Sequence, residues 1–285
     1  MHPLETFLRK VREIYSTGAS VGERSYYTPL ENLLNAVGEE LDTRVFCVHE
    51  LTDSGAGNPD FGLYVKDQMQ DRNGEEPMSG QLPARGVVEV KSLQDDTLAT
   101  ADREQVTRYW DRYQQVLVTN YRDFLLVGRD EHGDPACLER YSLSSNTSDF
   151  RSLCRHARRA ANDQGDRFRD FLKRVLLRPA TLSQPRDVAW FLASYAREAL
   201  ARIEGSELEA LASLRTALEN ALGMEFRGDS GEHFFESTLI QTLFYGVFSA
   251  WVLWSRNHPP ADTEAQFDWG HSARYLRDRK STRHS

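Results

Sequence analysis

Two short stretches of this chain hold side chains suited to work on a phosphodiester. Asn58-Pro59-Asp60 stands at the mouth of one apolar run, and Glu89-Val90-Lys91 at the end of the next. Strands alternate their side chains at period two. In Gly86–Ser92 (GVVEVKS), Val87, Glu89 and Lys91 therefore share one face, and Val88, Val90 and Ser92 the other. A Glu and a Lys that both point inward from a buried strand are expensive unless they are paired or hold a metal. Asp60, at the start of the neighbouring strand, supplies a second carboxylate. Mg²⁺ is a hard ion that takes one or two carboxylates and completes its octahedron with water and phosphate oxygens. Bound between Asp60 and Glu89 it would lower the pKa of a water and neutralise charge building on phosphorus. Lys91 is placed to orient that water or steady the developing anion. A metal-dependent phosphodiesterase needs such a set.

By itself a Pro-Asp followed by Glu-x-Lys is a weak signal. Another acidic-x-Lys occurs at Asp278–Lys280, in a polar tail without strand character. The plain reading of Glu89 and Lys91 is a cross-strand ion pair on an exposed face. Two further features weigh against it. Glu31 lies on a helix ahead of the strands, where a further carboxylate can reach a metal site; its plain role is to favour a helix N-terminus through the dipole. Gln105 and Tyr109 lie four apart on the helix after Lys91 and so occupy one face; their plain role is half-buried packing.

The elements that must position these residues follow from the pattern. Leu4, Phe7, Leu8, Val11 and Ile14 recur at helical spacing and predict a helix over 3–16. A second begins at Thr28-Pro29, with Thr as N-cap and Pro in the first turn, and stops near Gly38. The period then changes. Strands are expected at Arg44–Leu51, Phe61–Val65, Gly86–Ser92, Val116–Thr119, Phe124–Gly128 and Cys137–Leu143, with a helix over 100–113 and a long polar loop over 66–85. This order predicts an α/β fold, a mixed sheet with helices on its faces. From about Thr147 the pattern is wholly helical, with helices expected at 148–162, 166–177, 186–203, 206–222 and 232–256. The expected domains are therefore 1–145 and an all-α region, 146–285.

Composition bounds the partners. A net charge of −8 argues against binding nucleic acid over the whole surface, though a local basic groove beside an acidic metal site remains open. Cys47, Cys137 and Cys154 form no metal-spaced pair and no even framework; they are expected as buried small hydrophobes in a reducing cytoplasm. The N-terminal Met-His-Pro-Leu-Glu-Thr lacks a basic and then apolar run, so no secretory signal is expected. Phe234–Trp254 is long enough to span a membrane, but it carries Glu236, Ser237, Thr238, Gln241 and Ser249. Those groups are costly in lipid, and a helix buried on most of its circumference is expected, with no membrane partner. His49 reads as a packed or edge residue, and His233 and His271 have no partner at metal spacing. The aromatic residues between Phe234 and Trp254 read as core. Arg151–Arg159 and Arg167–Arg178 read as solvated helix faces, with phosphate contact as the alternative. Zinc-protease, P-loop and nucleophile-elbow motifs are absent from the sequence.

Glu31, Asn58-Pro59-Asp60, Glu89-Val90-Lys91 and Gln105-x-x-x-Tyr109 resemble, in order, the PD-(D/E)xK nuclease superfamily, and the last element is similar to the QxxxY motif of its RecB-like branch. The resemblance covers roughly residues 20–130, and the long 66–85 segment departs from a family hairpin that is often tighter. It implies a restriction-endonuclease-like fold and Mg²⁺-dependent cleavage of DNA, with Mn²⁺ able to substitute and products ending in 5′-phosphate and 3′-hydroxyl. It further implies Asp60 and Glu89 as metal ligands, Lys91 as the catalytic lysine and Glu31 as an accessory acid. Gln105 and Tyr109 would position DNA or the lysine-bearing strand. Glu236–Trp251 (ESTLIQTLFYGVFSAW) resembles the helix that follows the nuclease domain in single-chain restriction-modification enzymes. Neither an NPPY-type motif nor a Gly-rich loop after a strand is present in the sequence. The expectation is thus a fragment or shortened product of a prokaryotic defence system. It would act with a methyltransferase or target-recognition module, and as a homodimer where double-strand cleavage needs two sites. The alternative is a catalytically inactive nuclease fold that binds DNA or scaffolds a defence complex.

Overall fold

Six strands form one mixed sheet in the order β1 to β6: β1 (Val45–His49), β2 (Phe61–Val65), β3 (Val87–Val90), β4 (Val116–Thr119), β5 (Asp123–Arg129) and β6 (Pro135–Ser142). This is a computed structural model, and it describes residues 1–17, 23–49, 57–68, 81–97, 104–130, 134–178, 185–204, 209–258 and 267. Much of the expected 66–85 loop and the tail after Phe267 lie outside the described residues.

All neighbouring strands pair antiparallel except β3 and β4, which are parallel and joined through α3 (Glu104–Tyr113). A parallel pair requires such a crossover, and its helix must lie on one face of the sheet. The alternation anticipated in β3 holds. Val88 and Val90 enter the large core beneath α1 (Pro3–Tyr15) and α2 (Tyr27–Gly38). Val87 faces α3, among Val106, Tyr109, Trp110 and Val118. Both faces of β3 are therefore covered, and the plain reading of an exposed face is excluded. Gly86, at φ +83°, opens the strand; a Cβ there would stand 2.4 Å from the Gln115 carbonyl, so only glycine lets β3 begin beside β4.

Two further helices, α4 (Thr147–Arg155) and α5 (Ala157–Leu177), complete the layer that holds α1 and α2. Asn146 caps α4 by accepting the Asp149 N–H at 2.9 Å. Phe168 of α5 meets Phe124 at 4.9 Å and Tyr141 at 5.1 Å, ring centre to ring centre. This packing moves the boundary expected near residue 145: the first compact unit is Met1–Leu182 and the second Ser183–Ser285. Helical pattern alone assigned 148–177 to an all-α region because it does not reveal which surface a helix covers.

The second unit contains α6 (Pro185–Ile203), α7 (Glu209–Leu222) and α8 (Gly228–Asn257). By length and composition α8 could cross a membrane, and its most apolar window is 22% buried. This corrects the expectation of a helix buried on most of its circumference, since α6 and α7 cover only part of it. Tyr245 and Trp251 are exposed. Cys47 and Cys154 are buried as expected, but Cys137 is exposed on the outermost strand β6.

Candidate active site

Asp60 precedes β2, whose register against β3 pairs Phe61 with Val88 and so sets Asp60 beside Glu89. Its carboxylate is gripped at both oxygens. Oδ1 accepts the Tyr27 hydroxyl from the start of α2, and Oδ2 accepts the Val90 N–H at 2.7 Å. Two donors fix the rotamer and still leave lone pairs on each oxygen.

Glu89 is 3% exposed and accepts a hydrogen bond from Lys91 Nζ at 2.6 Å. The pair lies on the α3 side of the sheet, as the period-two pattern of β3 anticipates. A charged carboxylate that deep in a central strand is stable only with a cationic partner. Lys91 continues the ladder to β4, its N–H donating to the Thr119 carbonyl at 2.8 Å, so the ammonium rises from fixed backbone.

From α3, Gln105 Nε2 donates to the Tyr109 hydroxyl at 3.1 Å. Burial raises the Tyr109 pKa, and the carboxylates of Glu89 and Asp60 raise it further against the opposing Gln105 bond, so the phenol is neutral. The segment before Asp60 crosses over this ring. Gly57 takes φ +104°, and a Cβ there would lie 3.4 Å from Tyr109 Cε1.

Asp60, Glu89, Lys91, Gln105 and Tyr109 thus come together. Glu31 stands one turn beyond Tyr27 on α2, yet its carboxylate meets His49 Nδ1 at 3.3 Å rather than either acid of the cluster. His49 pairs across the sheet with Phe61, whose ring also touches Tyr27 at 5.0 Å. Tyr27 and His49 are the residues that motif reasoning missed. For Tyr27 the available signal was its four-residue offset from Glu31 on the predicted helix.

Chemically, the cluster offers hard oxygen donors on two adjacent strands, the donor type that divalent cations take. In the second unit, Glu204, His233 and Glu236 form a group with ligand atoms within 4.8 Å of one another, so His233 does have carboxylate neighbours, supplied by the fold rather than by sequence spacing alone.

No protein-family model matches the chain, and no curated protein matches it. Among solved structures, 53% of the chain aligns with 94% of a chain in the cryoEM structure of a DrdV–DNA complex, at 18% identity and a TM-score of 0.37. A likeness this distant gives no residue a role.

Proposed function

We propose that the chain is a Mg²⁺-dependent deoxyribonuclease of a prokaryotic restriction or defence system. One observation carries this reading: Asp60 is locked from two sides next to a buried Glu89–Lys91 pair on adjoining strands. An ion pair kept only for stability gains nothing from a second oriented acid beside it. Asp60 and Glu89 would hold the metal, with Glu31 as an accessory acid acting through its neighbours. The metal, when bound, supplies a water of lowered pKa and charge neutralisation at phosphorus.

The remaining work falls to the chain. Tyr27 and the Val90 N–H hold Asp60 in one rotamer. Lys91 presents a cation where negative charge grows on the phosphoryl oxygens and orients the attacking water. Tyr109, neutral and held by Gln105, supplies a hydroxyl that positions the strand or the lysine-bearing segment. The helical unit would dock a methyltransferase or target-recognition module. An apolar groove of about 730 Å³ between α6 and α8, walled by Leu192, Phe244 and Trp251, supports such docking. The free cysteines suit a cytoplasmic setting.

The test is cleavage of plasmid and linear DNA with Mg²⁺, set against EDTA and Lys91→Ala. Cleavage abolished in both supports the assignment, and cleavage that persists in Lys91→Ala refutes it. If the parent chain is inert, thermal stabilisation by Mn²⁺ that disappears in Asp60→Ala favours a nuclease lacking its partner module. No stabilisation favours the inactive DNA-binding or scaffolding reading.

A further inference from the structure

A separate cavity of about 420 Å³ opens on the α1–α4 side of the sheet, beyond the carboxyl ends of β3 and β4. Leu93, just after β3, and Tyr121, just after β4, stand in its wall. Ligands of open α/β sheets collect at that end of parallel strands. Arg12 of α1 and Arg151 and Arg155 of α4 line the opening, together with Tyr15, Tyr26 and Tyr121.

The three guanidiniums have no acid beside them among the described residues. No carboxylate lines the cavity, and none of the three arginines makes an ion pair among the described residues. Other arginines of the same surface are paired: Arg9 with Glu5 at 2.7 Å and Arg169 with Asp166 at 2.8 Å. The chain has 43 acidic residues against 35 lysines and arginines, so acid is not scarce. Three like charges brought to one opening repel unless an anion joins them. The described lining offers no anion either: burial pushes the Cys154 thiol in the wall up to about 12 and keeps it neutral.

The walls are aromatic and fixed. Arg151 stacks over the Tyr15 ring at 4.5 Å, and the Tyr26 and Tyr121 rings stand 5.3 Å apart. Tyr121 takes φ +69°, rare for a bulky side chain, and is held there by its N–H donating to Thr119 Oγ1 at 3.0 Å. The Tyr121 ring, 2% exposed and part of the main core, closes the floor of the cavity. Planar rings beside unpaired guanidiniums match a base beside a phosphate.

We propose that this cavity binds a nucleotide, with Arg12, Arg151 and Arg155 taking the phosphate and the exposed Tyr15 ring taking the base. The assignment stands on the cavity's own chemistry.

The test is calorimetric titration of the full chain in EDTA with adenosine 5′-monophosphate and, separately, with a 5′-phosphorylated single-stranded oligodeoxynucleotide. EDTA separates binding from cleavage, so failure of the nuclease reading leaves this result standing. Each of Arg12→Gln, Arg151→Gln and Arg155→Gln should weaken binding about tenfold, as should Tyr15→Ala. All four side chains are exposed, and circular dichroism would confirm that the variants fold. Binding of the mononucleotide that depends on the arginines supports the proposal with a free nucleotide as ligand. Arginine-dependent binding of the oligonucleotide alone supports it with a strand terminus as ligand. No binding of either probe, or equal affinity in the triple Gln variant, overturns it.

Discussion

The Tyr27 hydroxyl and Asp60 meet across the seam between α2 and β2, while the Val90 N–H reaches the other oxygen of the same carboxylate at 2.7 Å. The acid is thereby oriented by a helix and by a neighbouring strand at once. Neither donor is one of the acids or the lysine of the motif, yet both decide where the lone pairs of Asp60 point. Replacing Tyr27 with Phe keeps the ring against Phe61 and removes only the donor. The expected cost in stability is about 1 kcal/mol, the usual net worth of one hydrogen bond. Cleavage should lose about tenfold in kcat with KM for DNA little changed, the sign of an interaction that orders the reacting groups. Steady-state kinetics beside a urea melt would check both, and an unchanged kcat would sink the positioning role.

Gly57 offers an independent handle on the same cluster. Its φ of +104° disfavours any side chain, and a new Cβ would sit in van der Waals contact with the Tyr109 ring at 3.4 Å. Gly57→Ala should cost on the order of 1–2 kcal/mol and displace the segment that carries Asp60. Activity should fall more than stability does. Tyr109→Phe, which leaves Gly57 undisturbed, distinguishes the two causes: if only the alanine variant loses metal-dependent thermal stabilisation, the backbone path is responsible.

Phe168 is 1% exposed and packs on Phe124 and Tyr141. Phe168→Ala should destabilise the first unit by about 3–5 kcal/mol, the range for emptying an aromatic site in a core. The same packing means that a chain ended at residue 145 would leave the sheet face beneath α1 uncovered. It is expected to be insoluble or unfolded by circular dichroism. A cooperative melt from that truncation would restore the shorter boundary.

Glu236 is 6% exposed on α8. Its pKa is raised, first by burial and then by the carboxylates of Glu232 and Glu204, against an opposing effect of His233. A carboxyl with a raised folded pKa holds its proton longer in the folded chain than in the unfolded one. Between the ordinary 4.5 and the raised value the folded state binds more protons, so stability falls as pH rises through that window. Glu236→Gln should therefore raise the melting temperature at neutral pH and lose that advantage below the ordinary carboxylate range. Melts at several pH values would show it, and an equal gain at every pH would exclude titration as the cause.

Local pattern carried the strands and most helices, because period two and period 3.6 are written directly in neighbouring residues. In GVVEVKS the alternation placed Glu89 and Lys91 on one face, and the ion pair at 2.6 Å lies on that face. What escaped depends on distant neighbours. His156 separates α4 from α5, whereas the pattern suggested a gap after residue 162, since Leu153, Arg155, Ala157 and Arg158 around it are good helix formers. Tyr27 read as a flank of the Thr28-Pro29 start, and nothing local tells a helix where a carboxylate from β2 will arrive. His49 was legible as an edge residue; its contact with Glu31 needed the pairing of α2 with β1. Arg12, Arg151 and Arg155 belong to helices far apart in the chain, so their convergence had no linear signature.

The parallel pairing of β3 with β4 has a consequence for how the chain reaches its native state. Hairpins such as β4–β5 can zip from a short turn, whereas β3 cannot join β4 until the intervening segment has folded back and α3 has docked. Asp60 and Glu89 lie on one side of that closure, and Gln105 and Tyr109 ride on the element that performs it. The cluster of acids, Gln105 and Tyr109 is therefore complete only after a non-local event, so a half-folded or partly synthesised chain carries the residues without the ensemble.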